Sequence, residues 1–250
     1  MNAYPSDILR SGGHRSLSGR DAFALEAALM ERVASGERSY EVAIWQTEQC
    51  LVVPRGFSKR ERFGDGVAEC QRQGWPVFER TTGGDVTPQD SGTVNVTLVY
   101  RLPKATPPCI REQYDVLCNP ILEHLRSWGL APDYSAVEMS FCDGAYNVAV
   151  DNQKLVGTAQ RWRRSAKWPG ECIIFAHALI LAEADLKAGI AATNTLYRAC
   201  GMPDRVRTTA HTNLKHLQPA HARAFDTNRY MDWLQAAYEQ DLYDITTSTT

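Results

Sequence analysis

No run of about 18 apolar residues, the length a membrane-spanning helix needs, occurs anywhere in the 250-residue chain, so the sequence offers no helical span. Neither sign of charge is in excess: 27 Lys and Arg stand against 29 Asp and Glu, a formal net charge of −2. That balance removes any bulk electrostatic case for nucleic acid or an anionic membrane as partner. The seven cysteines, at 50, 70, 109, 118, 142, 172 and 200, include no Cys-x-x-Cys pair and no Cys/His cluster at zinc-ligand spacing, so no metal is expected. Gly-x-Gly-x-x-Gly and Gly-Lys-Ser/Thr are both missing, which excludes the dinucleotide fingerprint and the phosphate loop. The N-terminal MNAYPSDILRSGGHRS has no apolar segment of the secretory kind. With an odd number of scattered thiols, this sets the expectation of a cytoplasmic protein with reduced cysteines.

What is present is the composition of a globular domain: 44% hydrophobic and 22% charged residues, with no internal repeat. The expected organisation is an irregular Ser/Gly/Arg-rich arm over residues 1–20 and a single domain over 21–250. Asp21 can cap a helix carrying Phe23, Leu25, Leu29 and Val33, ended by Gly36. The β-rich runs 40–45 and 50–54 flank the polar QTEQ and read as a hairpin, and 58–73 as a polar-faced helix. Residues 76–80 form a strand entering TTGG, and TVNVTLVY (93–100) alternates as a half-buried strand would. From 109 to 128 apolar residues recur at spacings of three, four and seven, an amphipathic helix despite Pro120. Strands are expected over 137–141, 146–150 and 154–160, the last two joined by Asp151-Asn152-Gln153, and a buried strand over 172–181. Asp185 caps a helix running to Cys200, and Tyr230, Trp233, Leu234 and Tyr238 mark a last one. Hairpin-linked strands among a few helices predict an α+β fold: a mixed, largely antiparallel sheet flanked by helices.

Three places could carry chemistry. Gly83 and Gly84 lie between a strand and a polar loop, where a backbone without Cβ can approach a ligand and offer its N–H groups, although a diglycine is also an ordinary turn. Cys142 is followed by Asp-Gly, which leaves its thiol at a loop mouth, whereas most intracellular cysteines are small core hydrophobes. Lys154, twelve positions on, opens the second arm of a hairpin that could bring an ammonium beside that sulfur, the alternative being a solvated surface lysine. His177 sits in an apolar strand, where a lone histidine is more often hydrogen-bonded core than base.

Two longer segments carry a resemblance. RTTGGDVTPQDSGTVNVTLVY (80–100) resembles the Arg-x-(Ser/Thr)-Gly-Gly segment, with its later Asp-x-Gly-x-x-Asn, of the lipoate-protein ligase and octanoyltransferase superfamily, the biotin/lipoate protein ligase-like catalytic domain. SFCDGAYNVAVDNQKLVGTAQRWRR (140–164) is similar to its second signature, a lysine preceding Gly-x-(Ala/Ser)-Gln. Ser-Phe-Cys-Asp-Gly at 140–144 is close to the Ser-Tyr-Cys-Pro-Gly of the cysteine-dependent octanoyl/lipoyl amidotransferase branch. The chain departs from the superfamily pattern at Glu79, Asp85 and Gln89, and from that branch at Asp85 and Asp143.

The resemblance implies an acyltransferase that moves an octanoyl or lipoyl group onto the lysine of a lipoyl domain through a thioester on Cys142, with Lys154 orienting the carbonyl and carrying protons. It implies that Arg80, Thr82, Gly83, Gly84 and Asn95 from the first segment, Gly157, Thr158 and Gln160 from the second, and His177 hold the acyl substrate. No cofactor is then required for transfer, and the partners are lipoyl-domain proteins: 2-oxoacid dehydrogenase acyltransferase subunits and the glycine cleavage H protein. Two alternatives stay open. One is an ATP-dependent lipoate ligase using Mg, disfavoured because about 70 residues after the 172–181 strand leave little room for a further domain. The other is a non-catalytic acyl- or lipoyl-domain-binding protein.

Overall fold

The structure is a computed structural model in which residues 16–81, 83–103, 109–220 and 223–247 are described. Its centre is a seven-stranded sheet in the order β1-β2-β6-β10-β9-β8-β7. These strands are β1 (Ser16–Leu17), β2 (Tyr40–Thr47), β6 (Thr93–Pro103), β7 (Asp133–Tyr134), β8 (Val148–Val150), β9 (Gln153–Arg164) and β10 (Glu171–Leu181). All neighbours pair antiparallel except β1 with β2. A second sheet places β3 (Cys50–Pro54) between β4 (Val77–Arg80), parallel, and β5 (Thr87–Gln89), antiparallel. The mixed, mostly antiparallel α+β architecture is the one expected.

The two faces of the large sheet are covered differently. Helix α1 (Gly19–Ser35) lays Leu25, Leu29 and Val33 against Val99, Ile173 and Phe175. On the opposite face Val94, Val96, Leu98, Ile174 and Ala176 belong to the main core, which also holds Leu117 and Ile121 of α3 (Ile110–Ser127) and Leu234 and Tyr238 of α6 (Thr227–Thr247). Helices α2 (Phe63–Arg72) and α4 (Leu186–Ala199) pack together beside the small sheet, and a short α5 spans Leu214–Leu217. Pro120 lies inside α3, and Asp185 caps α4 by accepting from the Ala188 N–H at 2.9 Å, as its sequence signalled.

Several expectations are corrected. Residues 40–54 are not a hairpin: Gln46 and Thr47 continue β2 to pair with β1, and the chain then crosses into the second sheet, where β3 is buried along its whole length. Alternation reports burial, not the identity of the pairing partner. The strand expected half-buried over 93–100 is buried on both faces because helices cover both sides of the sheet. The 58–73 helix is broken: a 3-10 turn at Phe57–Lys59 precedes α2, with Arg62 at φ +57° between them. Ser18, not Asp21, caps α1, its hydroxyl accepting from the Asp21 N–H at 3.2 Å. The described end of the expected 1–20 arm is therefore regular, since residues 16–17 form β1 and 19–20 open α1, and residues 1–15 lie outside the described part. No strand forms over 137–141, where Met139 at φ +64° and Cys142 at φ +42° turn the chain.

Candidate active site

A loop, a bulge and the diglycine meet around Cys142. Asp143 organises the loop: its Oδ1 accepts from the Val137 and Gly144 N–H groups, both at 2.8 Å, and from Asn147 Nδ2 at 2.9 Å. A carboxylate that collects backbone donors in this way folds the chain back on itself instead of letting it run on as a strand. From the other side His211, 70 positions from Phe141, stacks on that ring at 4.6 Å and accepts from the Phe141 N–H at 3.1 Å, while its Nδ1 faces Arg207 O at 2.9 Å. Burial pushes the His211 imidazole down to about 4, so it is neutral and keeps the acceptor nitrogen this arrangement requires. His211 had no signal in the sequence, because its role depends on a contact far along the chain.

The thiol at the tip of this loop is held by donors. Cys142 Sγ accepts from Arg80 Nη2 at 3.3 Å and from the Asp85 N–H at 3.2 Å. Burial alone would push the thiol up. The nearby Arg80 and Lys154 charges, with Arg80 the larger, and the two donated hydrogen bonds overcome it and bring the pKa below the usual value. Gly84 makes the approach possible: it sits at φ +106°, and a Cβ there would lie 2.5 Å from Arg80 Nη2 and 2.7 Å from Cys142 Sγ. At Gly83 a Cβ would meet nothing within 4 Å, so the two glycines do different work. Thr82 lies outside the described residues.

Lys154 reaches the site through an irregularity that no spacing rule anticipates. Val148 pairs with Val156 and Ala149 with Lys154, leaving Leu155 as an extra residue on β9. Such a bulge re-aims the side chains beside it. Leu155 and Val156 both enter the main core, and Lys154 comes to the side of Gly157, where a Cβ would lie 3.3 Å from Nζ. Lys154 is 1% exposed, and its ammonium donates to Phe141 O at 2.7 Å and Cys142 O at 2.9 Å. Burial drives its pKa down to about 8, opposed by Cys142 and Asp143 and assisted by Arg80.

A cavity of about 250 Å3 opens over these groups, bordered by Gly157, Thr158, Gln160 and His177. Thr158 donates to Tyr146 O at 2.7 Å and Gln160 to Ile110 O at 3.0 Å, so both side chains tie β9 to neighbouring loops. The register sets Trp45, Asn95 and Leu179 in one row across the sheet, and Thr97, His177 and Ala159 in the next. A polar chain runs from this cavity into the sheet and toward α1. His177 Nδ1 is 2.8 Å from Glu26 Oε1 and Nε2 is 3.2 Å from Asn95 Oδ1, and Asn95 Nδ2 donates to Gln89 Oε1 at 2.8 Å. Gln89 is thus a buried bracket for Asn95, and Glu26, which borders the adjoining cavity and holds His177, is a residue that the sequence reading missed. An adjoining cavity of about 350 Å3 under α1 shares Arg80, Gln89, Ala159 and His177 with the first. Among the described residues no group of three His, Cys, Asp or Glu side chains could hold a metal ion, and no helix is long and apolar enough to cross a membrane. None of the cysteines is disulfide-bonded.

The dominance of Arg80 over Lys154 at the sulfur gives a direct expectation. Arg80→Gln removes one Sγ donor and the nearer charge, so the thiol pKa rises and alkylation of Cys142 at neutral pH slows by roughly tenfold. Iodoacetamide rates followed against pH measure it, and an unshifted midpoint would refute this role for Arg80.

Comparison with known proteins gives a consistent result. The family model of the lipoyl protein ligase A/B catalytic domain matches residues 18–234. A protein of Cupriavidus necator without assigned activity is 34% identical over 182 residues, 68% of this chain and 70% of the relative. The octanoyl-GcvH:protein N-octanoyltransferase of Kyrpidia tusciae is 30% identical over 204 residues, 80% of this chain and 69% of the relative. Among solved structures, lipoate-protein ligase A bound with ATP superposes with a TM-score of 0.62 over 92% of this chain and 84% of that one, at 14% identity, a likeness of fold alone.

Proposed function

Because the chain belongs to the lipoyl protein ligase A/B catalytic domain family, we propose that it transfers an octanoyl or lipoyl group between lipoyl-domain lysines through a thioester on Cys142. The observation that carries this reading is the sulfur itself: a thiol at φ +42°, held by Arg80 and the Asp85 N–H, with a buried amine of pKa about 8 behind its backbone. A binding module has no need to lower a thiol pKa in a cavity, and adenylate chemistry has no need of the thiol.

The steps follow from the groups present. The Cys142 thiolate attacks the carbonyl carbon of the acylated donor, the C–N bond to the donor lysine breaks, and the Lys154 ammonium gives the departing amine its proton. An amine on the acceptor lysine then attacks the thioester, the C–S bond breaks, the thiolate returns, and neutral Lys154 takes up the proton. A Lys ammonium has three donors; two of those on Lys154 are spent on Phe141 O and Cys142 O, and the third is left for the substrate. With a pKa of about 8 the amine can serve in both directions near neutral pH. The acyl chain lies over Gly157 and Ala159 toward His177, in the cavities that these residues border. The donor carries its own activated or amide-linked acyl group, so neither ATP nor Mg enters the transfer. H protein and the acyltransferase subunits of 2-oxoacid dehydrogenases are the partners of this reading, and the cytoplasm its compartment.

The test is intact-mass spectrometry of the protein mixed with an octanoylated H protein, with and without ATP. One octanoyl adduct, mapped to Cys142 and independent of ATP, is expected. Adduct-free turnover that consumes ATP and releases AMP would replace this reading with ligase chemistry.

A further inference from the structure

The thiol cavity has a neighbour that the acyl chemistry does not use. Behind the diglycine lies an open trough of about 400 Å3 bordered by Arg55, Phe57, Arg60, Gly83, Gly84 and Asp85. It shares Gly83 and Gly84 with the thiol cavity, so a single stretch of backbone separates the two, and the sulfur lies within 2.7 Å of where a Gly84 Cβ would be. At Gly83 the space beside the backbone is empty to 4 Å. The space beside the Gly83 backbone leaves room for a flexible arm on this side of the diglycine.

The rim of the trough is cationic although the whole chain is slightly acidic. Arg55 and Arg60, which border it, and Lys59 next to them in the chain are exposed and form no ion pair among the described residues, and Arg60 rests over the Phe57 ring at 4.9 Å. Their neighbours are compensated: Arg62 lies 3.4 Å from Asp65, and Arg205 on the opposite bank lies 3.9 Å from Asp85. The Phe57 and Tyr197 rings, 5.7 Å apart, join the two banks. Uncompensated guanidinium groups beside a catalytic thiol would repel an incoming lysine ammonium. They favour the reaction only when something anionic covers them, and a guanidinium fork matches a carboxylate.

We propose that Arg55, Lys59 and Arg60 form the docking surface for a carrier domain whose face around its modified lysine is acidic, the lysine arm lying in the trough toward Cys142. This rests on the acyl-transfer reading above. Docking then does two things: carboxylates of the carrier steer encounter, and they neutralise the rim so that the acceptor amine can approach. The surface serves donor and acceptor alike, which matches a ping-pong reaction in which one carrier must leave before the next binds.

The experiment compares two donors on the wild type and on Arg55→Glu/Arg60→Glu: an octanoylated H protein, and octanoyl-N-acetylcysteamine, a small neutral thioester with no surface to dock. With the protein donor, kcat/KM should fall roughly 10- to 100-fold, carried by KM, while acylation of Cys142 by the small donor stays within about twofold. Raising salt from about 50 to 300 mM should weaken the wild-type reaction with the protein donor and speed that of the charge-reversed variant, whose repulsion it screens. The milder Arg55→Gln/Arg60→Gln should fall between the two. An equal loss with both donors, or no loss with the carrier, overturns the docking surface. Binding of unmodified H protein, read by fluorescence anisotropy, keeps the two ideas separable. If no donor labels Cys142 in the wild type, the acyl-transfer reading fails, while a charge-reversed variant that binds H protein as tightly as wild type defeats docking by itself.

Discussion

Cys142→Ser is expected to abolish the acyl-enzyme and lower transfer by about 10^4-fold or more, leaving the fold intact. The sulfur is the one atom on which the organisation of the site converges: Arg80 Nη2 and the Asp85 N–H donate to it, and Gly84 lacks a Cβ where one would touch it. Those donors stabilise a thiolate whose pKa they bring below its usual value, and the same two donors cannot bring a serine hydroxyl within reach of ionisation near neutral pH. If the thiolate is the nucleophile, as proposed, the wild-type acylation rate should climb with pH and level off below the ordinary thiol range. Serine keeps the loop shape, since the φ of +42° at this position is maintained by Asp143 and His211 and not by the sulfur. Circular dichroism and intact mass with an acyl donor check both halves. Substantial transfer by a folded Cys142→Ser protein that shows no adduct would end the thioester mechanism.

The residues that meet at the candidate site were legible in the sequence for one reason and the frame that holds them was not, for another. Cys142, Lys154, Arg80 and Gly84 occur in short local patterns, and a local pattern survives in one dimension. Asp143 and Asp85 looked like departures from a motif. In the structure Asp143 is the staple of the Cys142 loop, and Asp85 supplies its N–H to the sulfur, a contribution any side chain there could allow. His211 and Glu26 went unnoticed because their partners, Phe141 and His177, lie 70 and 151 positions away. The strand expected over 137–141 fails for a local reason: the Asp143 carboxylate takes up the Val137 N–H, and Met139 lies in the left-handed region. The sheet itself was predictable in kind, since β6, β9 and β10 are long β-rich runs. That β2 and β3 belong to different sheets was not, because pairing is decided by what covers each face.

Lys154→Met should separate the catalytic and the structural consequences of a buried amine. In catalysis, loss of the proton donor and acceptor behind Cys142 slows thioester formation by roughly 10^2- to 10^4-fold. In stability, the pH dependence gives the signature. The amine titrates at about 8 in the folded protein, against 10.5 when freely solvated. Between those values the unfolded chain holds a proton that the folded chain has released, so wild-type stability rises with pH across that window, and below it the full cost of charging a buried amine is present. The span corresponds to about 3 kcal/mol. Methionine has no proton to bind, so the variant lacks this rise. At neutral pH its relief from the charging cost is offset by two carbonyls, Phe141 O and Cys142 O, left without their donor. The stability difference, wild type minus variant, should therefore move in favour of the wild type as pH climbs from about 7.5 to 10.5, and the Cys142 thiolate, which Lys154 helps to stabilise, moves it the same way. Lys154→Arg supplies the converse: a guanidinium cannot shed its proton, so it keeps the charging cost at every pH and cannot carry a proton for the departing amine. Urea unfolding at several pH values and pre-steady-state labelling of Cys142 measure the two halves. Parallel stability profiles together with equal labelling rates would make Lys154 a bystander to the reaction.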